Sequence, residues 1–163
     1  MGLNKNFFSI KEKITRHGFF TRLDGFSKKK EFKSLNCSLS NGDDKKRIYK
    51  NRVKTLKKLN LNKKKLVLVN QTHSSKVIKI NKNNMNKALE ADGMITSLND
   101  VVLGVLTADC APVFIYDKKG KYVCCLHSGW KGTLSNISEN AVKIFDKYNI
   151  QRDNLIAIIG PCL

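Results

Sequence analysis

The sequence has few of the features that would place it in a familiar class. No apolar run approaches the ~20 residues that cross a bilayer. The N-terminal segment MGLNKNFFSIKEKI lacks the apolar region and the cleavage site of a signal peptide. The five cysteines are odd in number and include no C-x-x-C pair, which argues against a disulfide framework, a zinc finger and a thioredoxin-like centre. These absences predict a cytoplasmic protein without a membrane partner.

Acidic residues are also scarce, so the charge is strongly positive. The 163 residues include 31 Lys and Arg against 13 Asp and Glu, a formal net charge of +18. Most basic residues are Lys, and Asn is abundant, which is the bias of AT-rich codons rather than of a nucleic-acid groove. The Lys runs at 28–30 and 63–65 lack interleaved aromatics. We therefore expect solvated loops and no specific nucleic-acid partner, with a non-catalytic basic binding protein as an alternative.

Short apolar segments favour strands over most of the chain. They are joined in part by hairpins and flanked by helices, which predicts a single domain over residues 1–163 of the α+β (mixed α/β) class, with mixed β-sheets. The last strand lies so close to the final residue that we expect the C-terminal part of the domain to be missing. The predicted strands are 17–21, 66–70, 77–80, 93–96, 101–106, 113–116, 122–126 and 155–159.

Two helices are predicted from apolar spacing. The first is capped by Asp43 or Asp44. The second begins near residues 133–136, where Asn136 and Glu139 resemble a capping box. The residues expected on the buried side are Ile48, Val53, Leu56 and Leu59 in the first helix, and Ile137, Ala141, Phe145 and Tyr148 in the second.

The hairpin within Val105 to Gly132 contains candidate metal ligands at both ends. The turn signal Asp117-Lys118-Lys119-Gly120 predicts that Tyr116 lies opposite Lys121 and Cys110 opposite His127. Opposed Cβ atoms are about 4.5–5.5 Å apart, so a thiolate and an imidazole there can share one zinc ion. A bulge at Gly120 would move this register by one residue.

A third ligand would have to be His17 or His73. His73 lies in the polar segment Gln71–Ser75 between two apolar strands, where a histidine has no core to fill. One Cys and two His would leave the fourth zinc position open, as in catalytic sites. Spacing alone leaves this metal site and ordinary packed histidines as equal alternatives.

The motifs of the chain resemble those of the YfiH-type family, which is named for a multicopper polyphenol oxidase/laccase domain. The resemblance runs from about residue 16 to the last residue. The T-A-D-C and H-x-G-W-x-G pair is its most specific part. The matching segments are His17–Arg22, Ser34–Asn36, Asn51-Arg52, Gln71-x-His73, Ala91–Thr96, Thr107–Val113, His127–Gly132 and Gly160-Pro161.

The resemblance implies a zinc ion held by His73, Cys110 and His127. The chemistry it implies is phosphorolysis of adenosine, inosine and methylthioadenosine, with hydrolytic deamination of adenosine. Nucleoside and phosphate would then be the partners. The alternatives are a peptidoglycan precursor editing hydrolase and a copper oxidase. Copper is disfavoured because three histidines cannot supply the trinuclear cluster of a laccase.

Further residues are candidates for supporting roles in that chemistry. Asp109 and Cys110 are the catalytic candidates, with Asp109 shuttling protons or orienting the zinc ligands. The phosphate and substrate candidates are Arg22, Arg52 and Gln71. Gly129 and Gly132 would allow close backbone approach to the site. Trp130 is expected near the site, packed in the core.

Overall fold

The computed structural model describes residues 7–8 and 14–163. The chain divides into two units, Met1–Lys64 and Lys65–Leu163, which are described in turn. In the first unit, β1 (Phe7–Phe8) pairs antiparallel with β2 (Phe19–Phe20). β2 confirms the strand predicted at 17–21. A 3₁₀ turn at Lys30–Phe32 precedes the only long helix described in this unit, α1 (Lys45–Lys58).

Helix α1 begins where the sequence supplies a cap. The Asp44 carboxylate accepts hydrogen bonds from the N–H groups of Lys46 and Arg47, at 2.8 and 3.3 Å, which confirms one of the two predicted caps. Ile48 and Leu56 are buried as expected. Val53 is 48% exposed, so its predicted place in the core is wrong. Five residues after Ile48 correspond to a rotation of about 140° around the helix, which turns Val53 away from the buried side.

The second unit contains two sheets. The smaller one pairs β3 (Lys65–Val67) in parallel with β6 (Val101–Leu103). The larger one has five strands in the order β4-β5-β8-β7-β9. Its first pair is parallel and its other pairs are antiparallel, so the sheet is mixed. The strands are β4 (Val77–Lys79), β5 (Gly93–Thr96), β7 (Ala111–Asp117), β8 (Val123–Ser128) and β9 (Leu155–Ile159).

The larger sheet carries a hydrophobic cluster on each side. Residues of α3 (Ile137–Lys147) pack with one group of strand residues, which includes Ile95, Cys124 and Leu126. Met94 and Ile80 belong to the second cluster. Cys124 and Cys125, adjacent in β8, are both buried, and their side chains point to opposite faces as the alternation of a strand requires.

The second predicted helix is two helices in the structure. α2 (Trp130–Leu134) ends before Asn136, which has a positive φ of 59°, and α3 follows. The side chain of Asn136 makes no capping hydrogen bond, so the predicted capping box is wrong. The left-handed backbone of Asn136 joins the two helices instead. The predicted burial of Ile137, Ala141 and Phe145 is confirmed, and half-buried Tyr148 stacks on Tyr122 with ring centroids 4.5 Å apart.

The fold is therefore of the α+β class with mixed sheets and few helices, as predicted. Among the described residues, no helix is long and apolar enough to cross a membrane. The single domain over residues 1–163 stays a prediction.

Candidate metal centre

The β7–β8 hairpin positions two of the proposed ligands. Pro112 lies opposite His127, and Ala111 lies opposite Ser128. The predicted pairing of Cys110 with His127 is therefore wrong by two residues. A shift of one residue would turn a side chain to the other face of the sheet, whereas a shift of two preserves the face. Cys110, one residue before β7, can thus still approach His127.

The register of the β7–β8 hairpin differs from the predicted one because of the hydrogen bonds of Asp117 at the turn. The turn signal predicts that Asp117 lies in the turn, but it is the last residue of β7. Its buried carboxylate accepts hydrogen bonds from the N–H groups of Lys119 and Tyr122, at 3.0 and 2.5 Å. Asp117 thereby closes the hairpin against Tyr122, and β8 begins later than expected.

His73 comes from the segment between β3 and β4. Its backbone has a positive φ of 57°, which is uncommon for a non-glycine residue. The N–H groups of Thr72, His73 and Ser74 all donate to the carboxylate of Asp92, at 3.1, 3.0 and 2.6 Å. This turn projects the imidazole of His73 toward that of His127, with ring centroids 4.8 Å apart and planes at 82°.

Three side chains converge at this place. One ligand atom from each of His73, Cys110 and His127 lies within 4.8 Å of the other two. Burial increases from exposed His73 through half-buried Cys110 to His127, which is 3% exposed. The thiol and two imidazoles match the borderline-soft donors that zinc prefers, and three protein ligands are the number found in catalytic zinc sites. The donor set therefore fits the metal that the sequence implies.

Two glycines allow the backbone to lie against this centre. A Cβ atom on Gly129 would be 3.1 Å from the Cys110 sulfur and 3.2 Å from Cδ2 of His73. A Cβ atom on Gly132 would be 2.9 Å from the carbonyl oxygen of Ser74. Any larger residue at position 129 would enter the space between the ligands.

Asp92 connects the ligands, a role that the sequence alone does not predict. Its side chain is fully buried, and its Oδ1 lies 2.8 Å from Nδ1 of His127. Burial raises the pKa of this carboxyl group, but hydrogen bonds from His127, Ser74 and Thr72 outweigh that effect and lower it to about 2. The sequence signal that could have indicated this role is the position of Asp92 directly before the apolar strand β5. A charged side chain that is buried beside such a strand must be paired.

The other candidates in the second unit have different surroundings. Gln71 ties its segment to Leu106: Nε2 donates to the carbonyl at 2.7 Å and Oε1 accepts from the N–H at 2.8 Å. Asp109 is exposed beside Cys110. The substrate role of Gln71 and the proton-transfer role of Asp109 stay predictions.

Arg22 and Arg52 lie in the first unit. The Arg22 carbonyl accepts a hydrogen bond from the N–H of Leu35 at 2.7 Å. Arg52, on α1, donates from Nε to the carbonyl of Cys37 at 2.9 Å. Burial lowers the pKa of the Arg52 guanidinium. Their phosphate-binding roles stay predictions.

A cavity of about 560 Å³ opens beside Cys110. Trp130 lines it and is 68% exposed, so its predicted packing in the core is wrong. The backbone of Gly129 is extended and α2 starts at Trp130, so the exposed indole lies just beyond the C-terminal end of β8. The other lining residues are Asp109, Cys110, Ala111, Ser128, Thr133, Leu134, Cys162 and Leu163.

The fold and the centre together define an α+β protein with a His–Cys–His candidate metal site. The chain belongs to the family described as multi-copper polyphenol oxidoreductase laccase, whose model matches residues 16–163. This agrees with the family resemblance seen in the motifs.

Curated relatives carry names of nucleoside enzymes. Purine nucleoside phosphorylase YlmD of Bacillus subtilis is 34% identical over 155 residues, covering 90% of this chain and 55% of the relative. Adenosine deaminase RL5, from an unknown prokaryotic organism, is 32% identical over 130 residues, covering 75% of this chain and 50% of the relative. The chain thus spans about half the length of these relatives.

Solved structures have the same fold. The crystal structure of YlmD from Geobacillus stearothermophilus superposes with a TM-score of 0.83 at 28% identity, covering 90% of this chain and 57% of that one. Bacillus licheniformis YfiH gives a TM-score of 0.82 at 30% identity, covering 90% and 58%.

Proposed function

We propose that the chain carries the metal centre of a zinc-dependent purine nucleoside phosphorylase with adenosine deaminase activity. The observation that carries this proposal is the convergence of His73, Cys110 and His127 within 4.8 Å. The names of the relatives support the substrate class. The three residues would hold the zinc and leave a fourth position open. When bound, zinc would supply a Lewis acid that polarises a substrate group or activates water.

The two reactions need a nucleophile and a route for protons. In phosphorolysis an oxygen of phosphate bonds to C1′ of the sugar, the N-glycosidic bond breaks toward the purine, and the departing base takes up a proton. In deamination water adds at C6 of adenosine and ammonia leaves. Asp109, an exposed carboxylate next to Cys110, is the proposed proton carrier in both.

The cavity beside Cys110 is the proposed space for the nucleoside. Its volume of about 560 Å³ is in the range of small-molecule sites. Trp130 exposes a flat apolar ring at its edge, a surface on which a purine can stack. We expect Trp130→Ala to raise KM for inosine more than it lowers kcat. The phosphate roles of Arg22 and Arg52 would be tested by the phosphate dependence of the rate in their Lys variants.

The central experiment combines metal analysis with a nucleoside assay. The expected result is about one zinc per chain and phosphate-dependent release of free base from adenosine or inosine. Cys110→Ser should lose both. Cys37→Ser, which changes a half-buried thiol of the first unit, is the matched control and should retain zinc. Zinc-loaded protein without phosphate-dependent base release would contradict the proposal.

Copper is a second candidate because one Cys and two His are also the ligands of blue copper sites. Copper-loaded protein would then show an intense blue absorption band. If that band appears and the zinc-loaded protein releases no base, oxidation replaces nucleoside cleavage as the proposed chemistry.

A further inference from the structure

We propose that Asp92 is the positioning residue of the metal centre, a single carboxylate that sets the ring of His127 and the backbone of His73 together. This inference rests on the zinc centre proposed above. It concerns hydrogen bonds among residues of this chain, so it can be tested apart from catalysis.

The hydrogen bonds of Asp92 divide between its two oxygens. Oδ1 accepts from the His73 N–H at 3.0 Å and lies 2.8 Å from Nδ1 of His127. Oδ2 accepts from the N–H and hydroxyl groups of Ser74, at 2.6 and 2.7 Å, and from those of Thr72, at 3.1 and 3.3 Å. One carboxylate therefore receives donors from two separate parts of the chain.

The contact with Nδ1 decides which nitrogen of His127 is available. An ionised carboxylate only accepts hydrogen bonds, so it places the imidazole proton on Nδ1. The lone pair is then on Nε2, where a metal can bind. The His127 backbone is held as well, because its N–H donates to the Asp92 carbonyl at 2.7 Å. The ring and the strand carrying it are thus both fixed by residue 92.

The contact with the turn decides where His73 lies. Three successive N–H groups, from Thr72, His73 and Ser74, converge on the carboxylate and form an anion-binding nest. This arrangement stabilises the left-handed backbone of His73, which is otherwise disfavoured for a non-glycine residue. Asp92 thereby keeps the two imidazoles 4.8 Å apart between ring centroids.

The exchange Asp92→Asn separates positioning from simple stabilisation. An amide of the same size offers one acceptor oxygen, while its NH₂ group would face either the nest or His127 Nδ1. The matched control is Asp43→Asn, which changes a buried carboxylate of the first unit. It accepts hydrogen bonds from the Asp44 N–H and the Asn36 amide, at 2.7 and 2.9 Å, and neither partner is a proposed ligand. Both variants are expected to lower the free energy of unfolding, but Asp92→Asn alone should weaken metal binding.

The test uses two readouts on the full chain. Competition with a chromophoric chelator measures zinc affinity, which we expect to fall roughly 10- to 100-fold in Asp92→Asn and to stay within about twofold in Asp43→Asn. Nitrogen NMR of histidine-labelled, metal-free protein reads the tautomer of His127, and the expected form in the unmodified chain carries its proton on Nδ1.

Either of two results would overturn the inference: wild-type zinc affinity in Asp92→Asn, or an Nε2-protonated His127 in the unmodified chain. If Asp92→Asn fails to fold, the tautomer of the unmodified chain decides. That measurement needs neither metal nor turnover, so absence of phosphorolysis would contradict the proposed function and leave this inference standing.

Discussion

Each unit contains a fully buried polar side chain that makes several hydrogen bonds to a nearby loop. This residue is Asn51 in the first unit and Asp92 in the second. Asn51 accepts from the N–H of Phe26 at 2.7 Å. Its Nδ2 donates at 2.6 Å to the carbonyl of Asn36, and more weakly to the Ser34 carbonyl and the Ser27 hydroxyl. The Asp92 carboxylate, by contrast, accepts hydrogen bonds from backbone N–H and hydroxyl groups, and one of its partners is an imidazole.

The difference between the two residues is in their partners rather than their burial. The partners of Asn51 are backbone groups and one hydroxyl, none of which has acid–base or metal chemistry in this setting. Asp92 holds a histidine ring that faces a thiol and a second histidine. Burial of a polar side chain therefore indicates only that its hydrogen bonds are made within the protein. A candidate functional role is indicated by the chemistry of the groups that it contacts.

The largest effect is expected from Asn51→Asp, the reverse of the Asp92→Asn exchange. A carboxylate at position 51 would place a buried charge against the carbonyl oxygens of Ser34 and Asn36, to which the amide now donates. We expect the free energy of unfolding to fall by about 3 kcal/mol, measured by urea denaturation.

Zinc affinity is the discriminating measurement for Asn51→Asp. It should stay within about twofold of the unmodified chain, because no hydrogen-bond partner of Asn51 is a proposed ligand. A loss of zinc affinity as large as that expected for Asp92→Asn, with stability preserved, would remove the distinction between the two residues.

A smaller effect is expected from Gly129→Ala, which tests how closely the backbone bounds the centre. The added Cβ would lie 3.1 Å from the Cys110 sulfur and 3.2 Å from His73 Cδ2, so at least one ligand must move. We expect zinc affinity to fall about tenfold and the free energy of unfolding to fall by about 1–2 kcal/mol.

Gly104→Ala is the matched control for crowding. Its Cβ would meet side-chain carbons of Leu68 and Leu66 at 2.9 and 3.1 Å, with no proposed ligand in contact. It should lower stability by a similar amount and leave zinc affinity unchanged. Equal losses of affinity in the two variants would mean that crowding of the fold, rather than of the ligands, controls metal binding.

The sequence predicted elements well where the signal was local. Gly93–Thr96 and Leu155–Ile159 match their strands residue for residue. The register of the hairpin was not predictable in the same way, because it depends on whether Asp117 accepts its hydrogen bonds within the turn or at the end of the strand.

The candidate ligands were predictable as residue types, but their supporting contacts were not. His73 and Cys110 stand out because a histidine in a polar interruption and a cysteine beside an aspartate have no evident packing role. Asp92 acquires its role only when the segment of Thr72 to Ser74 folds back onto it, 18 to 20 residues away in sequence. The large apolar side chain of Trp130 predicts a place in the core, whereas α2 starts at that residue and the indole is exposed.

The smallest effect is expected from Asp24→Asn, which removes an exposed carboxylate paired with Lys54 and Lys58. The hydrogen bond from Lys54, followed by that from Lys58, lowers the pKa of Asp24 to about 2. Because the folded-state pKa lies below the unfolded value of about 3.9, the pair stabilises the fold above pH 4. This contribution disappears as the pH falls through about 2.

Thermal unfolding should therefore show a small difference between Asp24→Asn and the unmodified chain that is constant from pH 7 to about 4 and vanishes near pH 2. Exposure limits it to less than about 2 °C in Tm at low salt, and added salt should reduce it further. A difference that persists unchanged in high salt, or that grows toward pH 2, would mean that Asp24 acts through packing rather than charge. Asp24 would then belong with Asn51, as a residue that holds a loop in place, and not with the weakly coupled surface charges.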